Sequence, residues 1–84
     1  MLTVVFFARV REQLDCASLQ LEWQESLSSF AGLQDHLTEL KGEQWADVLG
    51  EDNIIRSLNQ TVADDDAVLK DGDEVAFFPP VTGG

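Results

Sequence analysis

Two strand-forming runs bracket this chain, and the second is cut off by proline. Residues 2–8 and 74–78 are rich in β-branched and aromatic side chains, the composition of buried strands. Phe78 runs straight into Pro79-Pro80. Proline has no N–H for a sheet ladder and fixes its own φ near −65°. The sheet must therefore stop at Phe78, and residues 79–84 leave as a stiff, extended arm reaching roughly 20 Å.

Between the two runs lies one amphipathic stripe of helical length. Phe30, Leu33, Leu37 and Leu40 recur at spacings of three and four, which puts them on one face of a helix. Ser28 or Ser29 offers the N-cap, and Lys41-Gly42 the stop. Residues 43–49 suit a second, short helix with Trp45 and Leu49 four apart. Residues 9–14 suit a helical turn. Residues 18–23 alternate polar and apolar, the period of a half-buried strand, and pair with the first run as an antiparallel hairpin with a long connection. Residues 54–58, a turn at Asn59-Gln60, and Thr61-Val62 read as strand, turn and short return strand. Asp71-Gly72-Asp73 is a turn before the last strand. The order β-β-α-β-β-β, with one main helix across one face of a mixed sheet of about five strands, is an α+β layout. The two ends of such a chain can supply neighbouring central strands.

Composition narrows the function classes. The chain has 84 residues, 16 Asp plus Glu against 5 Lys plus Arg, and a formal net charge of −11. This length implies one domain. So acidic a chain has little with which to neutralise nucleic-acid phosphates. One cysteine excludes a disulfide framework, a four-cysteine zinc site and a cysteine-ligated iron–sulfur cluster. No stretch approaches the ~20 apolar residues of a membrane helix. The opening Met1-Leu2-Thr3-Val4-Val5-Phe6-Phe7 has no basic flank and reads as a strand rather than a signal peptide. The expected compartment is the cytoplasm. The charge is uneven, with 6 acids and 3 bases in residues 1–42 against 10 and 2 in 43–84.

The tail Phe77-Phe78-Pro79-Pro80-Val81-Thr82-Gly83-Gly84 has two readings: a frayed end, or a carboxyl terminus built for another protein's site. Glycine lets a backbone enter a narrow channel because no Cβ meets the walls. The tail, with residues 69–76 (Leu-Lys-Asp-Gly-Asp-Glu-Val-Ala) and 5–12 (Val-Phe-Phe-Ala-Arg-Val-Arg-Glu), resembles the molybdopterin synthase small-subunit family. These are sulfur carriers of the ubiquitin-like β-grasp fold. The resemblance covers essentially the whole chain. Gly-Gly marks only the superfamily; Phe-Phe-Pro-Pro-Val points to the molybdopterin branch.

That resemblance implies one sulfur-carrier domain over residues 1–84, with a flexible tail from 79 to 84. It implies an ATP-using partner, similar to ubiquitin-activating enzymes, that adenylates Gly84. A sulfur donor then converts the acyl-adenylate to a thiocarboxylate. A large synthase subunit would accept the tail, Gly83 included, and pass the sulfur to a pyranopterin precursor. In this reading the chain is a co-substrate that binds no cofactor or metal of its own, and two large and two small subunits assemble. A carrier for another pathway, a protein modifier joined through Gly84, and an inert β-grasp adaptor are the competing functions.

Strand parity predicts where partners touch. Thr3, Val5 and Phe7 share one face of the first strand; Glu74, Ala76 and Phe78 share one face of the last. Thr3 and Glu74 label that face as outward, so Val4, Phe6, Val75 and Phe77 face the helix. Phe7 and Phe78 then form a candidate partner patch at the root of the tail. The family resemblance adds Arg11 and Val62, with Pro79, Pro80, Val81 and Thr82 of the tail. Cys16 reads as incidental, His36 as solvent-facing, Asp64-Asp65-Asp66 as a solvated turn, and Trp23 and Trp45 as core or rim aromatics.

Overall fold

A computed structural model describes residues 1–80. It contains a five-stranded sheet in the order β2-β1-β5-β3-β4. The strands are β1 (Leu2–Phe6), β2 (Ser18–Leu21), β3 (Ile55–Leu58), β4 (Thr61–Val62) and β5 (Glu74–Phe78). β1 and β5 run parallel at its centre, with Val4 opposite Val75 and Phe6 opposite Phe77. β1–β2, β3–β4 and β3–β5 are antiparallel. This is the ubiquitin-like β-grasp, an α+β architecture, and its central pair comes from the two runs that bracket the chain.

The helices are α1 (Ala8–Leu14), α2 (Phe30–Lys41) and α3 (Glu43–Leu49), with a 3-10 turn over Glu25–Ser28. Ser29 caps α2, its hydroxyl accepting from the Gly32 N–H at 3.0 Å. Gly42 ends α2 at φ 102°. Asn59 and Gln60, at φ 51° and 71°, form the two-residue loop that a right-twisted hairpin favours. The Asn59 side chain accepts from the Glu74 N–H and donates to Asp73, tying that loop to the start of β5.

The core lies between the sheet and the helices. Leu2, Val4, Phe6, Val75 and Phe77 are fully buried against Leu27, Phe30, Leu33 and Leu37. Trp45 joins them, its ring meeting Phe6 edge-on at 5.3 Å.

Several expected boundaries move. β1 ends at Phe6 and not at residue 8, because the chain turns into α1 there. β2 ends at Leu21 and β3 begins at Ile55. Leu40, expected on the apolar stripe, is 56% exposed. The stripe of α2 narrows to Phe30, Leu33 and Leu37, while Trp45, Val48 and Leu49 of α3 complete the core. His36 is half-buried rather than solvent-facing. Asp65 of the acidic turn is more than solvated, because it pairs with Arg56.

Candidate functional site

One face of the sheet carries the helices; the other carries none of these core contacts. Register assigns the residues of that second face. Thr3 lies opposite Glu74, Val5 opposite Ala76, Ala76 opposite Ser57, and Ser57 opposite Val62. One row along, Ile55 lies opposite Phe78. Val5, Ile55, Val62, Ala76 and Phe78 therefore share the outward face, as alternation requires. Ala76 and the hydroxyl residue Ser57 are nearly covered, at 7% and 6% exposure. Val62 stands out at 69%.

Phe7 completes this surface from just beyond β1. Its N–H donates to the Phe77 carbonyl at 3.2 Å. Its ring packs edge-to-face on Phe78, with centroids 6.5 Å apart and planes at 76°. It remains 49% exposed, which is unusual for a phenylalanine in a domain this small. Arg11 lies one turn further along α1, where its backbone N–H donates to the Phe7 carbonyl at 3.3 Å. Arg11 is exposed and forms no ion pair among the described residues. By contrast, Arg9 pairs with Glu51 at 3.4 Å.

The structure thus brings Phe7, Val62 and Phe78 onto one face, with Arg11 bordering it and half-buried Pro79 and Pro80 following Phe78. Val81, Thr82, Gly83 and Gly84 lie outside the described residues. Ile55 belongs to the same surface but was not singled out from sequence. Its strand, Ile-Arg-Ser-Leu, does not alternate apolar and polar residues, so only the register with β5 tells which side Ile55 takes. The opposite side of β3 shows why the pattern misleads. Arg56 is in register with buried Phe77 on the helix side. There its guanidinium lies 4.9 Å from the Phe30 ring centre and pairs with Asp65. A pocket of about 450 Å³ sits there, lined in part by Phe30, Leu49, Glu51, Ile54 and Arg56. Among the described residues no three His, Cys, Asp or Glu side chains are grouped to hold a metal ion.

A β-grasp whose sheet face opposite the helices carries an exposed apolar patch where β5 runs into Pro79 and Pro80 defines a class of small proteins that work through partners. Within that class, residues 4–84 match the ThiS family, and the chain belongs to it. It is 40% identical over 84 residues to the molybdopterin synthase sulfur carrier subunit of Haemophilus influenzae, covering all of both chains. It is 38% identical to the Escherichia coli protein of the same name, again over the whole of both. Among solved structures it resembles a chain in the protein–protein complex of subunits 1 and 2 of molybdopterin-converting factor from Helicobacter pylori. That match has a TM-score of 0.68 and 27% identity, covering 99% of this chain and 97% of the other.

Proposed function

We propose that this chain is the sulfur carrier subunit of a molybdopterin synthase and does not catalyse by itself. The observation that carries the reading is end-to-end similarity to two proteins of that name. The apolar outward face at the root of the tail supports it.

The chemistry follows from a terminal carboxylate being a poor electrophile. In this reading a cytoplasmic adenylating enzyme spends ATP to convert the Gly84 carboxylate to an acyl-adenylate. The terminal sulfur of a donor persulfide attacks the acyl carbon and displaces AMP to give an acyl disulfide, and a second thiol reduces it, forming a disulfide with the donor cysteine and releasing the Gly84 thiocarboxylate. The large synthase subunit binds the outward face through Phe7, Val62 and Phe78, with Arg11 at the border. It takes up Pro79 to Gly84 so that the sulfur reaches the pyranopterin precursor. Acid–base groups are supplied by that subunit, and this chain contributes no metal or cofactor. Two large and two small subunits form the assembly.

Reconstitution with a cognate large subunit tests the reading. The thiocarboxylated chain is expected to convert the precursor, and a chain lacking Gly84 to be inert. Equal conversion by the truncated chain would overturn the proposal. Intact mass measurement of the chain from its host should show the gain of one sulfur for one oxygen. Gly-Gly remnants on lysines of other proteins, without that gain, would mark a modifier instead.

A further inference from the structure

The junction between β1 and α1 breaks two local preferences side by side. Phe7 occupies the N-cap of α1 with an extended backbone, φ −125° and ψ 154°, and makes no side-chain cap bond. That position favours Ser, Thr, Asp or Asn, whose side chains accept from the first N–H groups of the helix. Ala8 follows at φ 53°. There a Cβ crowds the backbone, and glycine is the usual occupant. The other non-glycine residues at positive φ are conventionally placed: Asp15 closes α1, and Asn59 and Gln60 form the hairpin loop. Ala8 is neither helix stop nor hairpin loop. Adjacent violations of local preference are expected where a backbone is shaped for a task.

The kink separates the fate of the Phe7 ring from that of the helix it begins. The Phe7 N–H still reaches the Phe77 carbonyl, extending the contact with β5 by one residue. One residue later the chain has left the sheet. Val10 and Leu14 of α1 are buried in the core, while the Phe7 ring stays outside against Phe78. A right-handed helical residue or a further strand residue at position 8 would carry α1 away from this placement.

We propose that Ala8 is a positioning residue: its left-handed backbone holds the Phe7 ring against Phe78 and so sets the shape of the patch that a partner protein reads. The inference rests on the reading of the outward face as the partner surface.

A substitution series on the full chain tests it. The cost of the left-handed conformation rises from glycine through asparagine and alanine to valine. In the free protein, ring-to-ring NOEs between Phe7 and Phe78 are expected to persist in Ala8→Gly and Ala8→Asn and to vanish in Ala8→Val. Affinity for the large subunit should stay within about threefold of the parent for Gly and Asn and fall about tenfold or more for Val, because the competent state is depopulated. Amide exchange in β5 and α2 should not change. An Ala8→Val chain that keeps the NOEs overturns the proposal even if its affinity falls, since the loss then comes from a clash at exposed Ala8. Should the valine chain not fold, a synthetic chain with D-alanine at position 8, which prefers this φ, decides the matter. It must retain both NOEs and affinity, and loss of either overturns the proposal. If Phe78→Ala leaves affinity intact, the partner-surface reading fails, while the NOEs still judge the role of Ala8.

Discussion

Phe78 ends one of the two central strands and faces away from the core. It is half-buried, packed on Phe7 and lying opposite Ile55. Truncating it removes contact area from the outward face and leaves the helix-side core in place. Phe78→Ala is therefore expected to weaken the complex with the large subunit by about 2 kcal/mol, the scale of a central aromatic anchor. The free fold should lose only about 1 kcal/mol. Titration calorimetry and a denaturation curve measure the two separately; unchanged affinity would remove the patch from the interface. Parity alone located this residue and Phe7, because alternation is local. Ile55 needed the register of β3 against β5, which is set by contacts distant in sequence. Arg56 shows the same limit, since an arginine on a core-facing strand position is tolerable only with Phe30 beneath it and Asp65 beside it.

The main helix α2 was legible because its signals are local and redundant: a serine cap, a stripe, a late lysine and a glycine stop. The turn over Glu25–Ser28 was not, because four residues carry no period. Nor was its effect on Gly32. A Cβ on Gly32 would lie 1.9 Å from the Ser26 carbonyl oxygen and 3.2 Å from the Ser29 hydroxyl. The first turn of α2 presses against backbone that cannot swing aside. Gly32→Ala, which raises helix propensity, is nonetheless expected to destabilise the domain by about 2–3 kcal/mol through overpacking. A lowered urea midpoint with an unchanged slope would report this; an unchanged midpoint would mean that the 3-10 turn yields freely. Trp45 was ambiguous for a related reason. Its short helix carries too little pattern to fix a face, and its burial follows from the meeting of α3 with α2 and Phe6.

Across the whole molecule, the net charge of −11 is distributed away from the apolar face. Of the outward-facing residues on β1, β3, β4 and β5, only Glu74 is acidic, and Arg11 borders the patch. Two copies meeting patch to patch would bring two strongly negative bodies together, so the charge opposes self-association. A partner with a basic rim is steered instead. The association rate with the large subunit is expected to fall roughly tenfold between about 0.01 and 0.15 M salt, with the dissociation rate changing little. Stopped-flow mixing measures both, and a flat salt dependence would assign the charge to solubility alone. The parallel pairing of β1 with β5 also has a consequence for synthesis. The β5 position at the centre of the sheet stays vacant until residue 78 has been made, so a chain that breaks off earlier has β2 but no β5 to pair with β1, nothing to join β3 and β4 to them, and no Phe78 to pack against Phe7. The sheet and the Phe7–Phe78 contact are finished in one step, and chains terminated before residue 78 are left incompletely folded, open to proteolysis, rather than circulating as decoys for the partner's binding site.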